Sequence, residues 1–310
     1  MPSGDRAVYL GYRLGAAIAR TLPLPAARLA AAAGSRVMVR TMHGRRQMIA
    51  RHLQRVYDNG LAPEQLDAKV AEAFASYGRY WLESFRLPGT TARQLDAATS
   101  WSGLEHFDAA LDAGNGVIIA LPHLGGWDTT GAWFASLGAP ITVVVEPVEP
   151  PALFEWFAEL RRGYGVNVVP LGSDAGTAVL RALKAGEVVG LVCDRDIQGN
   201  GIEVDFFGER TTLPSGPATL ALRTGAPLLP AGMYFEGRDS HFGLMRPPIA
   251  TDRRGSLRDD VARVTQALAG ELEYLIRRAP EQWHLFQPNW PSDFEYLENL
   301  AVSPWLGASA

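Results

Sequence analysis

Five consecutive apolar residues, Val117-Ile118-Ile119-Ala120-Leu121, framed by Gly116 and by Pro122-His123, constrain the fold of this chain more than any other stretch. A strand with one wet face alternates polar and apolar residues. This one offers solvent no polar position, so it must be covered on both faces. Downstream, short apolar runs at 141–145, 166–171 and 188–193 alternate with helical stretches at 127–137, 151–163 and 174–185. The expected fold is therefore α/β, a mostly parallel central sheet flanked by helices and wound by right-handed crossovers. Strands at 227–235 and 241–246 and a long helix over 256–278 follow.

In such sheets ligands collect at the carboxyl ends of the strands. His123, Glu146 and Asp194 each follow a predicted strand closely, so three separate pieces of sequence converge on one edge. From His123 to Asp128 is five positions, about a turn and a half of helix, which can return the carboxylate to the imidazole. A histidine that removes a proton near neutral pH needs such a partner to fix its tautomer and support its cation. Asp194, held at the end of a neighbouring parallel strand, is the more rigidly placed of the two acids and is expected to be the principal orienting partner, with Asp128 secondary. A buried structural histidine braced by an aspartate would carry the same signature.

Elsewhere Pro63 opens a helix whose Leu66, Val70, Phe74, Tyr77, Trp81 and Phe85 recur at core spacing. Ser102-Gly103-Leu104-Glu105 reads as a capping box for a helix that runs to Gly114. Ser215 is placed to cap the helix that ends at Thr224, and that amino end could equally hold a phosphate or an oxyanion.

Charge is distributed unevenly. Residues 1–57 carry ten arginines against Asp5 alone, a balance of +9 in a chain whose net charge is −4, which leaves −13 for the remainder. Leu10, Leu14 and Ile18 form one helical stripe, with Arg6, Arg13 and Arg20 beside it. An apolar stripe flanked by long cationic side chains suits a helix lying on an anionic membrane, or an ordinary helix packed on the body. Two regions are expected, a basic helical membrane-association segment over 1–57 and a single α/β body over 58–310. Nucleic acid is disfavoured, since no recognised motif accompanies the arginines. The longest charge-free run near the core, Thr129–Val145, has 17 residues and contains Gly131, Gly138 and Pro140, short of the ~20 apolar residues of a membrane span. Arg13 and Arg20 interrupt any signal-peptide core.

Absences narrow the chemistry. Cys193 is the sole cysteine, which excludes an intrachain disulfide, and no Cys/His cluster at metal spacing accompanies it, so no metal is expected. There is no Gly-x-Ser-x-Gly elbow, no Walker loop around Lys69 or Lys184, and no Gly-x-Gly-x-x-Gly after a strand, which disfavours serine hydrolases, P-loop enzymes and dinucleotide oxidoreductases. What remains is a His/carboxylate site that activates a group brought by the substrate.

Leu121-Pro122-His123 through Trp127-Asp128, the triplet Asp194-Arg195-Asp196, and Phe206-Phe207-Gly208 through Pro214-Ser215-Gly216-Pro217 together resemble the bacterial lysophospholipid and lipid A type acyltransferases. Arg223-Thr224-Gly225-Ala226-Pro227 and Trp283-His284 continue the likeness, which is greatest to the phosphatidylinositol mannoside acyltransferases of actinobacteria. The resemblance implies a glycerol-3-phosphate-acyltransferase-like fold, an acyl-CoA co-substrate with no resident cofactor, and a mannosylated phosphatidylinositol acceptor. It also implies a site of action at the cytoplasmic membrane face, and a monomeric enzyme lying on the membrane rather than in it is expected. By the same comparison His123 matches the general base, Asp128 closes a His-x-x-x-x-acid motif, and Asp194 falls where the mannoside enzymes carry a carboxylate, often Glu. Glu146, Arg161, Arg195, Asp196, Thr211, Pro214, Ser215 and Gly216 fall on the substrate side. A lipid A type enzyme fed by acyl carrier protein and a non-catalytic binder of anionic lipids are the competing readings.

Overall fold

In the computed structural model, which describes residues 3–302, the first third is helical: α1 (Ser3–Thr21), α2 (Leu24–Thr41), α3 (His43–Val56), α4 (Pro63–Arg86) and α5 (Ala92–Ala98). β1 (Thr99–Ser102) and α6 (Leu104–Asp112) lead into β2 (Val117–Leu121). Helix and strand then alternate as α7 (Trp127–Ser136), β3 (Ile141–Val145), α8 (Pro151–Arg162), β4 (Val166–Pro170), α9 (Ala175–Lys184) and β5 (Val188–Val192). A hairpin of β6 (Ile202–Phe206) and β7 (Glu209–Leu213), then α10 (Gly216–Thr224), β8 (Leu228–Glu236), β9 (Ser240–Met245), α11 (Leu257–Arg277) and α12 (Pro291–Val302) follow.

Among the described residues, seven strands form the main sheet in the order β1-β9-β8-β2-β5-β3-β4. Every neighbouring pair is parallel except β8 with β9. The mostly parallel α/β architecture expected from the apolar runs is present. β2 is near its centre and is buried at all five positions. Ile118 and Ala120, with Val189 and Leu191 of β5, enter a core shared with α10 and α11. Val117, Ile119 and Leu121 enter a second core with Phe107 of α6 and Phe134 of α7. Each large side chain so buried contributes roughly 1.5–3 kcal/mol, so the residues that follow β2 start from a rigid base.

Five elements escape the sequence reading: α5, β1, β6, β7 and α12. β1, Thr99-Ser100-Trp101-Ser102, is a four-residue edge strand paired with β9, too short and, Trp101 apart, too polar for a periodicity to register. It also overturns the capping box at Ser102. That residue is the last of β1 and pairs with Leu244, while Gly103, at φ +79°, caps α6 with no side-chain hydrogen bond. A Cβ on Gly103 would collide with the Met245 carbonyl, so the turn needs glycine.

The basic N-terminal helices pack closely on the body. α2 and α3 lie along α4, and Met48, Ile49, Leu53 and Val56 are buried. Arg51 and Arg55 each donate to Asp293 at 2.8 Å, and Arg55 also reaches Glu209 at 2.8 Å. On the outer side of α1, Leu10, Leu14 and Ile18 are 52%, 63% and 40% exposed. Of the flanking arginines, Arg20 turns inward and donates to the Phe85 carbonyl at 2.6 Å. Among the described residues no helix is long and apolar enough to cross a membrane.

Candidate active site

Strand register places the central pair. Leu121 of β2 is level with Val192 of β5, and each strand runs on two residues further to His123 and Asp194, with the Cys193 amide donating to the Leu121 carbonyl at 2.9 Å. The two side chains meet. His123 Nδ1 is 2.7 Å from Asp194 Oδ1, and the His123 amide donates to Asp194 Oδ2 at 3.0 Å. Burial would raise the Asp194 carboxyl, but the imidazole charge and the donors from His123 and Trp283 outweigh it and hold the group below its ordinary value. An ionised carboxylate only accepts, so Nδ1 must carry the proton, which leaves the Nε2 lone pair free. That is the arrangement a general base requires, and the ring is about one-third exposed while Asp194 is fully buried.

The supports come from the far end of the chain. Trp283 Nε1 donates to Asp194 Oδ2 at 2.7 Å, and Asn289 Nδ2 donates to the Asp194 carbonyl at 3.1 Å. The loop after His123 is held by bridges from Leu124 to Trp283 and from Gly125 to Met233. Sequence reasoning gave Trp283 and Asn289 no role in the site, and their only signal was Trp283-His284 among the resemblance motifs.

His284 donates its amide to the His123 carbonyl at 2.7 Å, and its Nε2 lies 2.8 Å from Ser76 Oγ. Burial, and secondarily the His123 charge, lower its pKa to about 3. A histidine depressed in the folded state stabilises the fold above its unfolded pKa, near 6.5, and loses that contribution as pH falls towards the folded value. His284→Gln, which can still bond Ser76, is expected to make urea stability flatter between pH 6.5 and 4. The wild type should lose up to about 1.4 kcal/mol per pH unit more than the variant through this proton. Parallel pH profiles of the two proteins check it.

Asp128 is turned away from His123. It accepts from Tyr80 at 2.7 Å, from Arg161 Nε at 2.9 Å and Nη2 at 3.2 Å, and from Tyr164 at 3.1 Å. Position two of α7 directs it back towards α4 and α8, so the five-residue spacing does not bring the acid to the ring. Burial works against the Arg161 charge, but Asp128, then Tyr164 and Tyr80, raise its pKa on balance, and Tyr80 and Tyr164 are pushed up chiefly by burial and then by Asp128. Asp128→Ala strands a buried guanidinium and is expected to cost about 3–5 kcal/mol of stability, read as a fall in the urea midpoint. The cluster still touches the site. Trp127 stacks on Tyr80 with centroids 3.8 Å apart and presents an edge to His123 at 5.3 Å.

Two cavities open beside the dyad. One, of about 260 Å3, runs between the sheet and α7–α8. Its lining is mainly apolar, with Ile119, Leu121, Val143, Phe154, Phe157 and Val166, and His123, Asp128, Arg161 and Glu146 also line it. The other, of about 400 Å3, lies under α9 and α10 and is lined by Arg195, Asp196, Pro214, Ser215, Gly216 and Arg223 among others. Val144, Glu146, Val192 and Ile197 line both, and the Glu146–Arg195 ion pair, at 3.6 Å, marks the junction. Asp196 and Thr211 have local structural partners. Asp196 gathers the amides of Gln198, Gly199 and Gly201 and the Thr212 hydroxyl, and the buried Thr211 hydroxyl donates to the Asn289 carbonyl. Ser215 occupies the cap position of α10 but makes no capping hydrogen bond. Cys193 is buried, and burial followed by the Asp194 charge pushes its thiol up, away from the thiolate a nucleophile needs. Among the described residues no three or more His, Cys, Asp or Glu are grouped to hold a metal ion.

Comparison with known proteins adds a lineage to this geometry. Residues 5–292 match the family described as bacterial lipid A biosynthesis acyltransferase. A phosphatidylinositol mannoside acyltransferase of Mycobacterium tuberculosis is 41% identical over 290 residues, 91% of this chain and 88% of the relative. One from Mycolicibacterium smegmatis is 37% identical over 297 residues, 94% of each. A lipid A biosynthesis acyltransferase of Haemophilus influenzae is 26% identical over 224 residues, 71% of this chain and 65% of that protein.

Proposed function

The chain belongs to the bacterial lipid A biosynthesis acyltransferase family, and from that premise we propose that it transfers a long-chain acyl group from acyl-CoA to a sugar hydroxyl of a mannosylated phosphatidylinositol. The observation that carries the reading is the His123–Asp194 pair, 2.7 Å apart, at the mouth of a mainly apolar cavity. His123 Nε2 takes the proton of the sugar hydroxyl. The oxygen attacks the thioester carbonyl and a tetrahedral oxyanion forms, its collapse breaks the C–S bond, and the departing sulfur takes the proton back from the His123 imidazolium, which Asp194 has stabilised, to leave as the CoA thiol. The acyl chain occupies the cavity under α7 and α8, where each buried methylene contributes about 0.8 kcal/mol. The polar part of the donor extends towards Arg195, Ser215 and Gly216.

The test is mass spectrometry of lipids after incubation of the purified protein with mannosylated phosphatidylinositol and either acyl-CoA or acyl carrier protein carrying the same chain. Acylated mannolipid formed from acyl-CoA is the expected product. Product from the carrier protein alone would shift the assignment to the lipid A type of donor, and thioester stable in every mixture would leave a lipid-binding protein.

The enzyme works at a membrane surface, held by the exposed Leu10, Leu14 and Ile18 of α1 and the arginines around them. Because α3 is tied into the body, substitution tests this better than truncation. Leu10→Ser/Leu14→Ser/Ile18→Ser is expected to abolish sedimentation with anionic vesicles, and binding of the unaltered protein should weaken at high salt as charge is screened. Equal sedimentation of both proteins would refute the role of α1.

A further inference from the structure

Because β9 runs antiparallel to β8, its first residues lie at the sheet edge where β2 delivers His123. His241 pairs with Phe235 near the end of β8 and with Thr99 at the start of β1. The loop after His123 abuts this corner, since a Cβ on Gly126 would lie 3.3 Å from the His241 ring and 3.2 Å from Thr129 Oγ1. A cavity of about 730 Å3 opens here, lined by Arg20, Arg28, Arg86, Thr99, Thr129 and His241 among others. Arg79 and Arg238 line an adjoining hollow with Arg28.

Five guanidinium groups thus face two carboxylates, Glu83 and Asp239. Glu83 is taken up by His241 and Arg79, each at 2.7 Å, and Asp239 pairs with Arg28. Arg20 and Arg86 donate to backbone carbonyls of Phe85, Ala19 and Leu22, which leaves their charge uncompensated. The Arg28 guanidinium is held below its usual value by burial first and then by Arg238 and Arg79, a sign of excess positive field. His241 Nδ1 and Thr99 Oγ1 are buried without a hydrogen-bond partner. A multi-oxygen anion would answer the field and accept from the Thr99 hydroxyl, whereas His241, whose Nε2 donates to Glu83, could donate to it through Nδ1 only as the imidazolium. The ligand also has an apolar neighbour, because Ile18, Leu22 and Leu29, interleaved with Arg20 and Arg28, are exposed.

We propose that this arginine-lined basin binds the phosphodiester of a lipid headgroup, and, resting on the acyltransferase reading, that it anchors the sugar acceptor beside His123. The test titrates glycerophosphoinositol and inorganic phosphate into the whole protein by calorimetry, for wild type, Arg28→Gln/Arg238→Gln and Asp239→Asn. The double variant should bind glycerophosphoinositol at least about tenfold more weakly. Asp239→Asn should bind it more tightly, because Arg28 is released from its internal partner. A weakening in Asp239→Asn equal to that of the double variant marks the pair as a structural clamp and overturns the site, as does unchanged binding in all three proteins. Inorganic phosphate binding as tightly as glycerophosphoinositol overturns the headgroup assignment.

Turnover separates the source of the phosphate. If the acceptor's own phosphodiester is held, kcat/KM for mannosylated phosphatidylinositol, relative to phosphate-free methyl mannoside, falls about tenfold in the double variant. An equal fall for both acceptors in anionic vesicles, with weaker vesicle binding, assigns the site to a neighbouring anionic lipid. The titration needs no acyl transfer, so a protein that binds the headgroup but moves no acyl chain refutes the acyltransferase reading and leaves the site intact.

Discussion

His123→Asn is expected to lower acyl transfer by about 10²- to 10⁴-fold, the range spanned by a positioned general base, equivalent to about 2.7–5.5 kcal/mol of barrier. Asparagine is the informative replacement because its Nδ2 can donate to Asp194 Oδ1 as His123 Nδ1 does across 2.7 Å, so the buried carboxylate keeps a partner while the lone pair at the Nε2 position disappears. Binding of the donor should change little, since the cavity proposed for the acyl chain is lined by Phe154, Phe157 and strand residues below the dyad, none of which the substitution alters. The loss belongs in kcat at saturating acyl-CoA. A variant that retains more than a tenth of native turnover, while folding and binding donor normally, would remove His123 from the reaction.

Asp194→Asn is the second large effect. The amide removes the charge that stabilises the imidazolium, and it can donate to Nδ1, which would drive the proton to Nε2 and leave no base there. Turnover should fall by about 10²-fold or more, and at least about tenfold further than for Asp128→Asn. Asp128 touches Tyr80, Arg161 and Tyr164 rather than His123, so its substitution should appear first in the unfolding midpoint and only weakly in kcat. Kinetics and urea denaturation of both variants decide the matter. The opposite ordering, with Asp194→Asn active and Asp128→Asn dead at normal stability, would make Asp128 the working acid through a rearranged α7.

How far the site is legible in sequence depends on how each residue is positioned. β2 and β5 are readable because burial on both faces excludes polar side chains, and once the two are seen as neighbours the register carries His123 and Asp194 to the same level. Asp128 is not readable in this way. Its direction depends on how α7 leaves the loop after His123, and its partners lie on α4 and α8, where Tyr80 sits beside an aromatic stripe that reads as packing. Trp283 and Asn289 are 89 and 95 residues from Asp194, beyond any local pattern. β1 and β7 are short, and edge or hairpin strands with exposed alternate positions leave little hydrophobic signal.

The reliance of Asp194 on Trp283 and Asn289 bears on when the chain becomes active during synthesis. A ribosome delivers β2 and β5 well before residue 283, so the sheet can form while Asp194 still lacks its indole and amide donors and α3 still lacks the Asp293 acceptor that Arg51, His52 and Arg55 share. The nascent chain should therefore reach a folded stage in which the His123–Asp194 pair still lacks its supports. Chains stalled just before Trp283 are expected to resist proteolysis over β2–β5 yet cleave no acyl-CoA, with activity appearing only when synthesis has passed Asp293. Thioester cleavage by the stalled chain would show that the dyad needs no help from the last segment.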